Sequence, residues 1–248
     1  MADLSTIETK SDIIIRLKKE IFSLNNFKKN TCNVDKVGLP LQVKNAFPNG
    51  QFPLGAVHEF LIESPEDAAA TSGFVSGMLG SLMKNSGATI WISACRNIFP
   101  PALASFGILP EKIIFIDSKK EKEILWAMEE ALKCTAVAAV VGELHELSFT
   151  ASRRLQLAVE QSRVTGFLLR RIKGNINTTA CVSRWKITSL PSVLEDEMPG
   201  VGFPRWNVEL LKVRNGKPGN WELEFADGLF RNIPKIAAII HHLEKKTG

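Results

Sequence analysis

The chain has 248 residues, of which 45% are hydrophobic and 23% charged, a composition typical of a globular domain with a substantial core. No apolar run reaches the roughly 18 residues of a membrane-spanning helix, and the N-terminus lacks the features of a secretion signal. The four cysteines are widely spaced and form no CxxC pair, which argues against a metal site and predicts reduced, mostly buried thiols. We therefore expect a cytoplasmic protein without a metal or other cofactor.

The first predicted element is an amphipathic helix over residues 12–24, whose apolar side chains recur every three or four positions with lysines opposite. A polar stretch follows it and predicts a linker. We expect an N-terminal helix and linker over residues 1–38, a core over 39–232 and a C-terminal helix over 233–248. The N-terminal helix is expected to dock on the core or on a neighbouring subunit, so a homo-oligomer stays open.

From about residue 40, short apolar strands alternate with amphipathic helices, the pattern of a parallel sheet covered on both faces. The predicted strands are Val57–Ile62, Ala88–Ala94, Lys112–Asp117, Ala136–Val141 and Gly166–Arg171. The helices between and around them are predicted at residues 67–84, 100–106, 120–134 and 149–163.

After residue 180 the apolar and polar residues alternate, which predicts antiparallel strands. These strands are predicted at Trp185–Ser189, Trp206–Val213 and Trp221–Phe225, with a hairpin turn around Asn215-Gly216 and the tryptophans in the core. A final amphipathic helix is predicted after Asn232, which could cap it. Parallel strands with an appended hairpin are the element order of a RecA-type ATPase. The predicted fold class is α/β, with a RecA-like core of the P-loop NTPase type, a mainly parallel central sheet flanked by helices, and a C-terminal antiparallel hairpin.

Four segments carry further sequence motifs: Phe47–Phe60 with Leu-Gly-Ala-Val-His-Glu, Ser152–Glu160, Thr165–Arg170, and Glu209–Gly219 with Leu-Lys-Val-Arg-Asn-Gly-Lys-Pro-Gly. These segments resemble the ImuA proteins, which are relatives of RecA and of the cell-division inhibitor SulA. The likeness covers roughly residues 45–226. It implies a RecA-like core and a role in damage-induced mutagenesis as part of the SOS response.

An ATPase of this type needs a glycine-rich turn ending in Gly-Lys-Ser/Thr after its first core strand, because backbone N–H groups and a lysine hold the phosphates. The corresponding segment here, Glu63–Thr71, contains no glycine and no lysine. Its acids, Glu63, Glu66 and Asp67, would repel a triphosphate, and Pro65 restricts the backbone. The sequence therefore predicts that nucleotide does not bind in the usual mode.

Two further requirements of phosphoryl transfer are also unmet in the sequence. Gly142 stands where a strand-end aspartate would hold Mg²⁺, and Glu143, one residue later, is expected to face the other way. Ser93 and Cys95 stand where RecA-type enzymes carry two acids. Because the reaction depends on all these parts, we expect a protein that is not an enzyme.

Three other residues could suggest chemistry, and each has a simpler interpretation. Cys95 ends a strand but has no histidine nearby in sequence to act as its base, so it is interpreted as a structural thiol. His145 is interpreted as a residue of a surface loop. Glu59, in an otherwise apolar strand, is expected to pair with an arginine.

Positive charge is concentrated between Ala151 and Leu190, where eight lysines and arginines face a single acid. Such an excess suits a phosphate backbone, but equally a solvated face or an acidic protein partner, and the sequence leaves these open. The candidate contacts for DNA or a partner are Arg153, Arg154, Arg163, Arg170, Arg171, Lys173, Arg184 and Lys186, together with Arg214 and Lys217 on the hairpin.

By resemblance, the leading hypothesis is an accessory protein of translesion synthesis that binds a Y-family DNA polymerase of the ImuB kind, with RecA and DNA as further candidate partners. A SulA-like inhibitor of the cell-division GTPase is the first alternative, and a working RecA-type ATPase is the second. The sequence does not identify the interface or the oligomeric state.

Overall fold

The computed structural model describes residues 37–84, 87–193 and 201–233. The predicted N-terminal helix lies outside these residues, as does the C-terminal helix beyond Ile233, so both stay predictions. Asn232, proposed as the cap of that C-terminal helix, is the last residue of a strand. Within the described ranges, no helix is both long and apolar enough to cross a bilayer.

In the part of the chain that the structure describes, nine strands form a single sheet. They are β1 (Val57–Ile62), β2 (Thr89–Ser93), β3 (Ile113–Asp117), β4 (Ala139–Leu144), β5 (Thr165–Arg171), β6 (Ser183–Leu190), β7 (Arg205–Val213), β8 (Gly219–Ala226) and β9 (Leu229–Asn232). Their order across the sheet is β3-β2-β4-β5-β1-β6-β7-β8-β9. The first six strands in this order are mutually parallel, and the last three extend the sheet in antiparallel fashion.

Among the described residues, four α-helices accompany the sheet. They are α1 (Leu41–Lys44), α2 (Pro65–Met83), α3 (Glu121–Lys133) and α4 (Phe149–Ser162), with short 3-10 helices at Pro48–Gly50, Pro100–Phe106 and Pro110–Lys112. The helix α2 packs on one face of the sheet, whereas α3 and α4 pack on the other. The predicted α/β class, with a mainly parallel sheet and a C-terminal hairpin, is confirmed.

The structure differs from the sequence prediction at three strands. β4 begins at Ala139 instead of Ala136, because the chain first turns after Cys134, where the Val137 amide bonds the Cys134 carbonyl. β6 was assigned to the antiparallel group but pairs in parallel with β1 before it pairs with β7. β9 was not predicted, although the Asp227-Gly228 turn before it has the positive φ angles (55° and 73°) of a tight hairpin.

The helix α2 lies very close to its neighbours because it presents glycines to them. A Cβ atom at Gly80 would lie 2.0 Å from the Phe106 carbonyl oxygen, and one at Gly77 would lie 2.6 Å from the ring of Phe230. Between these glycines and the sheet, the buried Phe74 contacts Phe230 at a ring-centroid distance of 5.0 Å. The close contacts of Gly77, Gly80 and Phe74 therefore fix the position of α2 on the sheet.

The tryptophans of the C-terminal strands belong to this same core, as the sequence predicted. Trp185 and Trp206 are buried, and Trp221 packs against the cluster while partly exposed. Trp185 stacks on Phe60 of β1 with ring centroids 6.0 Å apart. These three side chains pack in or against the hydrophobic cluster that includes the buried face of α2.

A buried histidine in β1 links three parts of the core by hydrogen bonds. Nε2 of His58 lies 2.8 Å from the Pro53 carbonyl oxygen and donates to it, since a carbonyl can only accept. Nδ1 then accepts from the Ser183 hydroxyl at 2.6 Å, and that hydroxyl accepts from Trp185 Nε1 at 2.7 Å. Burial lowers the pKa of His58 from 6.5 to about 4, because the charged imidazolium would lose its hydration.

This histidine should make folding stability depend on pH between about 4 and 6.5. The unfolded chain takes up the proton below pH 6.5 and the folded chain does not, so stability falls as pH falls, by about 2 kcal/mol at pH 5. Urea unfolding of wild type and of His58→Gln at pH 7 and pH 5 measures this, and the variant should lose the dependence. The control His145→Gln, at an exposed histidine, should retain the pH dependence of the free energy of unfolding. An equal pH dependence in wild type and His58→Gln would show that His58 is not its source.

Candidate functional site

The connection between β1 and α2 consists of two residues, Glu63 and Ser64. A phosphate-binding loop of the Gly-x4-Gly-Lys-Ser/Thr form occupies about eight residues at this position. The α2 N-terminus is capped by its own chain, because Ser64 Oγ accepts from the Asp67 amide at 3.1 Å. Glu66 and Asp67 occupy the first turn. The segment thus lacks the row of free N–H groups that would enclose phosphates.

Glu63 is paired across the sheet edge with a candidate contact residue. The Lys186 ammonium lies 2.6 Å from Glu63 Oε2, and this hydrogen bond raises the pKa of Lys186. The pair is partly exposed, so it contributes little to stability. Lys186 is the one lysine of β6, and its charge near the start of α2 is balanced by Glu63.

A cavity of about 860 Å³ lies beside this connection, between the start of α2, the 3-10 helix Pro100–Phe106 and the carboxyl ends of β4 and β5. Most of its lining is apolar, with Phe106, Leu169 and Trp206 among the walls. Glu143 is the one acid among the described residues that line it, and Arg171 and Arg205 are the cations. Such a lining suits apolar side chains better than a magnesium-bound triphosphate.

Glu143 reaches this cavity, which corrects the expectation that it faces away. Trp91 Nε1 donates to Glu143 Oε1 at 3.0 Å, and the Arg171 guanidinium lies 4.0 Å from the other oxygen. Burial raises the pKa of Glu143. Gly142 faces the opposite side, where an added Cβ would lie 2.5 Å from Met128 Sδ. The alternation of side chains in β4 therefore turns the acid, and not the glycine, toward α2.

The most deeply buried charges lie on the other face, around Glu59 in the middle of β1. Its carboxylate has no exposed surface and contacts Arg170 NH1 at 3.0 Å and Arg184 Nε at 2.7 Å. The Thr179 hydroxyl donates to the same carboxylate at 2.9 Å. The predicted pairing of Glu59 with an arginine is confirmed, with two arginines in place of one.

The same network holds the segment between β5 and β6. Arg170 NH2 donates to Asn177 Oδ1 at 2.5 Å, and Asn177 Nδ2 donates to the Leu147 carbonyl at 2.7 Å. Arg184 NH2 donates to the Asn177 carbonyl at 2.8 Å. Sequence reasoning missed Asn177 and Thr179, because no local pattern marks a loop residue that binds a buried arginine. Arg170 and Arg184 are engaged inside the fold, so we withdraw them as contacts for DNA or a partner.

The remaining candidate cations lie in three separate regions instead of one surface. The carboxyl edge of the parallel strands carries Arg171, Lys173 and Lys186; the α4 helix carries Arg153 and Arg154; and the amino edge carries Arg163, Arg214 and Lys217. Arg154 pairs with Glu129 at 2.5 Å, and Arg214 donates to the Ala180 carbonyl at 3.0 Å. The cluster seen in the sequence is thus divided by the fold.

A second, more polar cavity of about 450 Å³ opens at the carboxyl edge, between residues 145–148 and 170–177. Arg171 and Lys173 line it, and Glu146 is its one acid among the described residues. Lys173 is exposed and has no acidic partner within the described part of the chain. This second cavity is where free positive charge and open space coincide.

The cysteines and His145 support no catalytic or metal site within the described residues. Cys95 and Cys134 are exposed, so the expectation of mostly buried thiols was wrong for these two. Cys181 is buried, and burial raises its pKa to about 12. His145 lies in an exposed loop and bonds Glu121 at 2.7 Å, as its interpretation required. No group of three metal-binding side chains occurs among the described residues.

Comparison with known proteins gives the family. No family model matches. The chain is 36% identical over 194 residues to Protein ImuA of Caulobacter vibrioides, in strain NA1000 / CB15N and in strain ATCC 19089 / CIP 103742 / CB 15, covering 73% of this chain and 80% of each relative. The chain belongs to the ImuA family. The resemblance found in the sequence motifs is confirmed.

Among solved structures, this ImuA-family chain is similar to the RadB recombinase. The TM-score is 0.56 at 12% identity, and the match covers 81% of this chain and 100% of RadB. At this identity the likeness concerns the fold alone, and it confirms the RecA-like architecture. The short β1–α2 connection is therefore a local feature within a RecA-like fold.

The Glu59 network predicts a large loss of stability on removal of one member. Glu59→Ala would leave the buried Arg170 and the largely buried Arg184 without a counter-charge and should cost about 3–5 kcal/mol in the free energy of unfolding. The control is Glu63→Ala, which removes a partly exposed partner of Lys186 and should cost under about 1 kcal/mol. Urea unfolding measures both. Similar small losses in the two variants would show that Glu59 is not the central charge.

Proposed function

We propose that this ImuA-family chain is a non-catalytic accessory protein of translesion synthesis that binds a Y-family DNA polymerase. Family membership and the RecA-like fold support a role in the DNA damage response. The observation that carries the non-catalytic part is the two-residue connection between β1 and α2. A fold that retains its architecture without its phosphate loop is best suited to act as a binding surface.

Glu143 does not by itself make the site an ATPase. A carboxylate facing the cavity could hold a metal through water, but phosphoryl transfer also needs donors for the phosphates and a base for the attacking water. The strand end that would supply the base carries Ser93, whose hydroxyl donates to the Cys95 carbonyl at 3.1 Å. The raised pKa of Glu143 and its hydrogen bond from Trp91 support a structural role in closing the cavity wall.

Association with the polymerase should be independent of nucleotide. The test immobilises the purified chain and titrates it with the Y-family polymerase of the same host. The dissociation constant should be the same, within about twofold, without nucleotide and with Mg²⁺-ATP. This follows because no nucleotide-sensitive loop lies between β1 and α2. Failure of the wild-type chain to bind would contradict the partner, and a large effect of ATP would contradict the nucleotide-independent role. Parallel assays with RecA and the cell-division GTPase test the other candidate partners.

Direct DNA contact, if it belongs to this function, is best supported at the second cavity. Arg170 also lines this cavity but is bound to Glu59. The available cations are therefore Arg171, at the end of β5, and Lys173, two residues later; the segment that follows is anchored by Asn177. A segment that is already held in place loses little conformational entropy when a ligand binds. Single-stranded DNA is therefore the natural probe for this edge.

Removal of both cations should lower the salt dependence of any DNA binding. Each phosphate contact to a single strand contributes roughly 0.7 to the slope of log affinity against log salt, so Arg171→Ala with Lys173→Ala should reduce the slope by about 1.4. Fluorescence anisotropy with a labelled oligonucleotide measures it. The amino-edge double variant Arg163→Ala with Lys217→Ala is the control and should keep the wild-type slope. The reverse pattern would assign the DNA surface to the amino edge.

A further inference from the structure

The outer surface of the α3 and α4 helices exposes two large apolar side chains. Trp126 of α3 is 63% exposed, and Leu157 of α4 is 46% exposed. Neither contributes to the core, whereas neighbouring positions of both helices, such as Met128 and Leu155, are buried against the sheet. An exposed tryptophan is costly in water and is the residue type most enriched at the centres of protein interfaces.

An ion pair brings these two side chains into one surface. Arg154 of α4 reaches Glu129 of α3 at 2.5 Å and so joins the two helices on their outer side. Trp126 lies three residues before Glu129, and Leu157 lies three residues after Arg154, so each shares a helical face with one member of the pair. The two apolar side chains therefore flank the ion pair diagonally.

The charges around this pair are unequal. Glu129 pairs with Arg154 at 2.5 Å and lies 3.7 Å from Lys133, whereas Glu130 pairs with Lys133 at 2.6 Å. Lys122, one turn before Trp126, and Arg153, one turn before Leu157, are exposed and have no acidic partner in the part of the chain that the structure describes. The end of the surface nearer the carboxyl edge thus carries these two cations, and Glu160, which has no cationic partner among the described residues either, lies at the opposite end.

We infer that this surface, here named the α3–α4 face (Lys122, Trp126, Glu129, Arg153, Arg154 and Leu157), docks an acidic segment of the polymerase that carries a large apolar side chain. The inference rests on the proposed function and specifies the surface used. The apolar side chain would cover Trp126 and Leu157, and the carboxylates of the segment would complement Lys122 and Arg153. A continuous phosphate backbone fits less well than a short peptide segment, because the Glu129–Arg154 and Glu130–Lys133 pairs balance one another and leave only the two separate cations Lys122 and Arg153 without an acidic partner among the described residues.

Binding of the polymerase to matched variants tests the inference. Trp126→Ala and Leu157→Ala should each weaken the affinity at least tenfold. The controls are Phe99→Ala and Leu229→Ala, which remove exposed apolar side chains (69% and 50% exposed) from other parts of the molecule and should leave it unchanged. All four positions are exposed, so the variants should keep wild-type thermal unfolding.

Two further measurements distinguish an interface from a structural effect. Binding of the polymerase should shift tryptophan fluorescence to shorter wavelength as Trp126 leaves water, and this shift should diminish in Trp126→Phe. The double variant Lys122→Glu with Arg153→Glu should weaken binding and flatten its dependence on salt. Unchanged salt dependence would contradict the acidic character assigned to the partner.

The outcomes separate this inference from the proposed function. If the wild-type chain binds the polymerase and the Trp126 and Leu157 variants bind equally well, the α3–α4 face is not the interface, and the proposed function stands. If the wild-type chain does not bind, both fail. If Trp126→Ala instead weakens binding of single-stranded DNA and leaves the polymerase affinity intact, the exposed ring is a base-stacking platform and the protein-docking assignment is overturned.

Discussion

The structure depends on one buried carboxylate, because three partners that lie 111, 120 and 125 residues away in sequence meet on Glu59. A fully buried charge costs several kcal/mol unless it is paired with good geometry, and here Arg170, Arg184 and Thr179 supply the partners. Arg170 is on β5 and Arg184 on β6, so the network spans the three central strands. A slip of either strand by one residue would turn its arginine to the other face and leave Glu59 unpaired. The network thus specifies the register at the centre of the sheet.

The same alternation decides which charges remain available at the carboxyl edge. Arg170 turns inward to Glu59, and Arg171, the next residue, turns to the opposite face and toward Glu143. Lys173 follows after the strand has ended and is free to meet a ligand. Residues 170–173 look strongly basic in the sequence, but their three cations have different surroundings. Arg170 is bound to Glu59, Arg171 lies near Glu143, and Lys173 is exposed.

The sequence predicted most of the strands and helices because their apolar periodicity is strong and their packing partners are local. It misassigned β6, whose alternating pattern suits a strand with one polar face regardless of its direction. It also missed the orientation of Glu143, because the alternation of side chains along β4 does not say which of the two faces α2 covers. The sequence could not show that the basic residues lie in three separate regions, because strand pairings between residues far apart in the chain separate them. The exposed Trp126 was likewise indistinguishable from core residues until the helix faces were known.

The survival of a RecA-like fold without a phosphate loop has a local electrostatic explanation. The N-terminus of a helix favours negative charge and leaves N–H groups to be satisfied, which is what a bound phosphate supplies in an ATPase. Here α2 supplies both from its own sequence: Ser64 accepts from the Asp67 amide, and hydrogen bonds from a backbone amide and from Ser64 lower the pKa of Glu66. The far part of the helix is held by the close contacts of Gly77 and Gly80. The start of the helix is therefore stabilised without a bound anion, and the cavity beside it is lined mostly by apolar side chains.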